Sequence, residues 1–155
     1  MTARRTAFVL VALGAALAAS APGPVKVHIC RTLEEAVPSG PATVLLVFFS
    51  TDCPVCYDGL FESRYVVDKG GWPVKVVGVY SGPEDGLRAF LEKYAWTLPV
   101  ILDRRKSLAR RLKVDCVPDR VLLAGGEPVY RDDPRADPAR RREDLTKCLK
   151  EMFSR

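Results

Sequence analysis

Histidine is almost absent from this chain, and His28 is the single one. Zinc normally takes four ligands, often from a histidine pair or from two C-x-x-C units. The chain offers neither set, so no zinc or copper centre is expected. The same scarcity leaves no Ser-His-Asp arrangement, and neither a phosphate-cradling loop nor a paired-carboxylate pattern stands out. No apolar run reaches the roughly 20 residues that span a bilayer comfortably. An excess of one charge is missing too. Lys and Arg number 24 against 19 Asp and Glu, and the two signs are interleaved, as from Arg131 to Asp144. That balance argues against a nucleic-acid partner and makes Arg110-Arg111 and Arg140-Arg141-Arg142 read as solvated helix faces. Five cysteines are too few for a disulfide scaffold in 155 residues, and the odd count leaves at least one thiol free or paired between chains.

What is present suits one packed domain. Hydrophobic residues make up 48% of the chain, enough for a core, while the length is short for two. Arg4 and Arg5 precede an uncharged, alanine-rich stretch from Phe8 to Ala19, followed by the small residues Ala18-Ala19-Ser20-Ala21. This is the pattern of a secretory signal peptide over residues 1–21; an uncleaved anchor is the alternative, and the only membrane attachment expected. Removing Arg4 and Arg5 leaves 22 basic against 19 acidic residues, a balance of +3. Export to a periplasmic or other extracytoplasmic compartment would let a disulfide form and persist. Pro22 to Pro24 reads as a linker, and residues 25–155 as the domain.

Alternation at Val25, Val27 and Ile29 predicts a short strand. Thr32 predicts the N-cap of a small helix that ends before Pro38. Thr43 to Phe49 is a continuous apolar run, as expected for a strand covered on both faces. Ser50-Thr51-Asp52-Cys53-Pro54 then opens a helix to about Lys69, because Pro54 suits the first helical position and Gly70-Gly71 a terminus. Val74 to Tyr80 reads as a second buried strand, followed by a helix through Tyr94. Pro99 to Leu102 predicts a short strand and Lys106 to Leu112 a short helix. Arg120 to Leu123 and Pro128 to Arg131 flank a turn at Ala124-Gly125-Gly126-Glu127. Asp137 to Phe153 is a terminal amphipathic helix. Alternating elements closing on a hairpin predict an α/β fold with a central mixed sheet flanked by helices on both faces.

Cys53-Pro54-Val55-Cys56 stands directly after a buried strand and at the start of a helix. A cysteine there faces unpaired backbone N–H groups and the positive end of the helix dipole. Both favour thiolate, the nucleophilic form. Cys56 falls on the same side of the first turn, close enough to close a disulfide and expected to be the more buried. Cys53 would attack a substrate disulfide and Cys56 would resolve the mixed disulfide. A static bridge is the bland alternative, but so short a loop contributes little stability.

The stretch Val44 to Val129 resembles the TlpA/ResA-type envelope thiol–disulfide oxidoreductases of the thioredoxin-like superfamily. The likeness runs in order through V-L-L-V-F-F-S-T-D-C-P-V-C, V-V-G-V-Y-S, F-L-E-K-Y-A-W-T-L-P-V-I-L-D and L-A-R-R-L-K-V-D-C-V-P-D-R-V-L-L-A-G-G-E-P-V-Y-R. It implies a thioredoxin-like fold with an extra α-β insertion, and no cofactor. It further implies a cis peptide at Val117-Pro118, with these two residues binding substrate opposite the C-x-x-C. By the same geometry Cys116 lies near the pair, as an accessory thiol or simply a tolerated small residue. Implied partners are disulfide-bearing envelope proteins, such as apocytochrome c, and a membrane thiol reductase as electron donor. Reduction is the favoured direction; oxidase or isomerase activity is the alternative. A non-enzymatic interaction module or a copper-handling protein on the same fold is the alternative of another class.

Some positions depart from the pattern. Asp52 stands where an aromatic residue is usual, and its charge would oppose thiolate formation at Cys53. Val47 takes the place of the buried acid of cytosolic thioredoxins, leaving Glu62 or a water to assist Cys56. Ser50 and Leu46 occupy positions where the peroxidase branch needs Thr and Pro, so peroxide reduction is not expected. Cys30 and Cys148 lie near the two ends of the domain, where a bridge and two separate thiols are both open readings. His28 reads as a surface or edge residue.

Overall fold

The computed structural model describes residues 26–38 and 43–154. The expected signal segment and the linker after it lie outside the described residues. Among the described residues six strands and five helices follow in the order β1 (Ile29–Cys30), α1 (Leu33–Ala36), β2 (Thr43–Phe49), α2 (Pro54–Gly70), β3 (Lys75–Tyr80), α3 (Glu84–Lys93), β4 (Val100–Leu102), α4 (Ser107–Arg111), β5 (Asp119–Ala124), β6 (Glu127–Arg131) and α5 (Pro138–Phe153).

All six strands form one sheet in the order β1-β4-β3-β2-β5-β6. The pairs β1–β4, β4–β3 and β3–β2 are parallel, whereas β2–β5 and β5–β6 are antiparallel. The continuous apolar run of β2 follows from its central place, since every one of its residues is buried. Leu45, Val47 and Phe49 join a cluster with side chains of α2, α3 and α5 on one face. Val44, Leu46 and Phe48 join a second cluster with α1 and α4 on the other. The hairpin turns on Gly125 and Gly126, both at positive φ (60° and 89°), the two-residue turn that suits the strand twist.

The first strand differs from expectation. Among the described residues the ladder is confined to Ile29–Cys30, although the His28 carbonyl still accepts from the Val100 N–H at 2.8 Å. Its partner β4 is only three residues long, so pairing stops early. His28 itself is exposed. Cys30 and Cys148 are unbridged thiols. Cys30 belongs to the cluster on one face of the sheet, whereas Cys148 packs against the other, so the sheet separates them.

Candidate active site

The site sits where β2 gives way to α2. Cys53 is the N-cap of α2 with extended backbone (φ −106°, ψ 104°), and Pro54 fills the first helical turn. The Cys53 N–H donates to the Ser50 carbonyl at 3.4 Å, and the Cys56 N–H to the Cys53 carbonyl at 3.1 Å. No side chain caps this end, and the first turn carries no acid. Its N–H groups and dipole therefore act on the sulfurs without a competing carboxylate in the turn. Cys53 and Cys56 are joined as a disulfide with Cα atoms 5.3 Å apart. Cys56 is fully buried beside Val47 and Leu60, whereas Cys53 is half-buried at the rim.

The Val117–Pro118 peptide is cis. Val117 is 41% exposed and Pro118 half-buried. Pro118 packs over α2, where a Cβ built on Gly59 would meet its ring at 3.5 Å. Pro118 thus lies against the same helix that begins with the disulfide. Cys116 is an exposed free thiol. It helps line a cleft of about 330 Å³ with Val117, Ser50, Asp52, Tyr80 and Lys106. The other two free thiols are held above their ordinary range, chiefly by burial, with Glu35 adding for Cys30 and Glu151 for Cys148. Neither lines this cleft.

Beneath the site lies a charged cluster that the sequence pattern does not announce. Arg120 pairs with Val47 across the β2–β5 ladder, so a buried cation stands next to the position where a buried acid was sought. Its Nε donates to Asp132 Oδ2 at 2.6 Å and its Nη1 to Glu62 Oε2 at 3.4 Å, while its buried Nη2 has no hydrogen-bond partner among the described residues. Glu62 also accepts from Arg142 at 3.4 Å. It lies six residues past Cys56, about 9 Å along the helix at 1.5 Å per residue. Its carboxylate is thus committed to two guanidinium groups rather than free to serve Cys56.

Arg141 corrects a sequence expectation. Arg140 and Arg142 are exposed, but Arg141 has a side chain only 12% exposed. The helical period of about 100° per residue turns the middle of the three toward the sheet. Its Nε donates to Asp132 Oδ2 at 2.8 Å, and its Nη2 to the Pro118 carbonyl at 2.9 Å. The Tyr130 hydroxyl donates to Asp132 Oδ1 at 3.2 Å; burial, and then the Asp132 charge, push its pKa well above the usual phenol range. Sequence reasoning missed Arg120, Asp132 and Arg141. Their one legible signal is an arginine inside an otherwise apolar strand, which requires a buried partner.

The AhpC/TSA family profile matches residues 30–126, from β1 through the β5–β6 turn. The chain belongs to the AhpC/TSA family. No curated protein sequence matches significantly. Solved structures share the fold. StoA from Bacillus subtilis is 22% identical with a TM-score of 0.57, over 71% of this chain and 84% of that one. A putative thioredoxin from Neisseria meningitidis is 17% identical with a TM-score of 0.59, over 75% and 80%. A secreted Mycobacterium tuberculosis disulfide oxidoreductase, described as homologous to E. coli DsbE, is 20% identical with a TM-score of 0.57, over 74% and 85%.

Proposed function

We propose that this AhpC/TSA-family protein reduces or exchanges disulfides in exported proteins, with Cys53 as the attacking thiol and Cys56 as the resolving one. The observation that carries the reading is the asymmetric pair. One cysteine sits half-buried at the rim as the residue that begins an uncapped helix, and its partner is wholly buried one turn on.

The chemistry follows from that asymmetry. In the reduced protein the Cys53 thiolate attacks one sulfur of a substrate disulfide and expels the other as a thiolate. The Cys56 thiolate then attacks Cys53 Sγ, closing the Cys53–Cys56 bond and releasing the second substrate thiol. Two electrons pass to the substrate, so each turnover needs a donor dithiol, in this reading a membrane thiol reductase, to reopen the bond. The exposed Val117 and the cleft running from Ser50 to Val117 offer an extended substrate segment a place to lie. Peroxide reduction fits less well, because Ser50 and Leu46 stand in place of the Thr and Pro that it requires.

Work in the cell envelope is supported by the basic and apolar pattern of residues 1–21 and by fold relatives described as a secreted protein and an exposed lipoprotein thioredoxin. Trapping tests the reading. The full chain carrying Cys56→Ser, expressed in a host that exports it, should accumulate thiol-sensitive adducts of envelope proteins on Cys53. A Cys56→Ser/Cys53→Ser double variant should capture none. Equal capture by both would overturn the assignment.

A further inference from the structure

We infer that Arg141 and Asp132 are positioning residues for exchange: together they clamp the backbone that receives the substrate. Asp132 has a side chain 1% exposed and is fixed from several directions. Its own N–H donates to the Arg120 carbonyl at 2.9 Å. Its Oδ2 takes Nε of Arg120 at 2.6 Å and Nε of Arg141 at 2.8 Å, and its Oδ1 takes the Tyr130 hydroxyl at 3.2 Å. A carboxylate so held has no freedom to turn. Arg141 is in turn seated on α5, and its Nη2, itself 2.6 Å from Asp132 Oδ2, donates to the Pro118 carbonyl at 2.9 Å.

The consequence is directional. Pro118 rests on α2 at Gly59, and its carbonyl is drawn inward by a guanidinium tied to a buried anion. The edge that faces solvent is then Val117, 41% exposed. Bonds between charged partners are short and geometrically demanding, and a guanidinium can serve a carboxylate and a carbonyl at once through separate N–H groups. Lysine at this place could keep a charge against Asp132, but it has no planar fork to hold Pro118 as well. Arg141 touches neither sulfur, so its effect is on docking geometry rather than on the chemistry of the cysteines.

This inference rests on the exchange reading above, and one set of measurements separates their failures. The full-length protein and its Arg141→Lys and Arg141→Gln variants are compared on a peptide disulfide, which docks along the Val117 edge, and on dithiothreitol, which reduces Cys53–Cys56 without docking a strand. Arg141→Lys is expected to keep the wild-type melting transition. For both variants KM for the peptide should rise about tenfold, as for loss of one charge-assisted hydrogen bond, with kcat and the dithiothreitol rate unchanged. An unchanged KM would overturn the clamp. So would a loss shared equally by dithiothreitol, or unfolding of both variants, since either would assign Arg141 a general structural role. Absence of peptide exchange in the wild-type protein would instead overturn the exchange reading itself.

Discussion

Cys53 and Cys56 are three residues apart yet occupy different surroundings, and that difference comes from where the helix begins. Cys53 keeps extended backbone as the N-cap, at the rim, while Cys56 has already turned into the core beside Val47. Charge is distributed just as unevenly nearby. Asp119, which follows Pro118, is buried. Its Oδ1 accepts from the Arg120 N–H at 2.7 Å and its Oδ2 from Arg131 at 3.5 Å. Burial nevertheless raises its pKa above the ordinary value, outweighing the backbone bond and the partly exposed Arg131. The native state therefore holds this proton to a higher pH than the unfolded chain. Stability from Asp119 is fully present below the unfolded carboxyl's pKa and is lost as pH rises through the native one. Asp119→Asn keeps an acceptor for the Arg120 N–H and removes the buried charge. Urea midpoints measured between pH 3.5 and 7 should thus fall less steeply, or rise more steeply, with pH in Asp119→Asn than in wild type. Parallel pH profiles would contradict the assignment.

Among the elements, α2 connects the cysteine pair to the cis-proline. It starts at the disulfide, carries Pro118 on Gly59, and ends at Gly71, whose φ of 63° is the left-handed conformation of a helix C-cap. Gly59 is an interior helical position that stays glycine although alanine would favour the helix by about 0.5–1 kcal/mol. A Cβ there meets Pro118 at 3.5 Å, an ordinary contact. Gly59→Ala should therefore raise the denaturation midpoint by about that energy and leave exchange intact. Gly59→Leu should keep the fold while lowering exchange with protein disulfides, because its extra carbons need the space Pro118 occupies. Full activity in the Leu variant would show that Pro118 need not rest on α2.

For the whole molecule, the succession of strands and helices was legible because its signals are local. The unbroken run Thr43 to Phe49 marks a strand buried on both faces, Ser50 to Pro54 marks a helix start, and Gly125-Gly126 a tight hairpin. The C-x-x-C was legible for the same reason, whereas the cis peptide before Pro118 followed only from the resemblance, since locally that residue reads as the start of a strand. The charged cluster was not. Arg120, Asp132, Arg141 and Glu62 come from β5, the segment after β6, α5 and α2, and only the folded chain brings them together. Along the sequence Arg141 reads as one of three solvated arginines, since nothing local says which of them faces the sheet. β1 was read too long because its alternation continues past the point where β4 has partners to offer. The separation of Cys30 from Cys148 likewise depends on the face each residue occupies, which distance from the chain ends does not reveal.

These scales meet in one claim, that Cys53 and Cys56 act together as an exchanging dithiol. Its most direct test is reduction of insulin disulfides by dithiothreitol in the presence of wild-type protein, Cys53→Ser or Cys56→Ser. Wild type should accelerate precipitation of the insulin B chain. Cys53→Ser should fall to the rate of dithiothreitol alone, and Cys56→Ser should stall as a mixed disulfide on Cys53 that releases only slowly. Wild-type acceleration by Cys53→Ser would contradict the account at its centre.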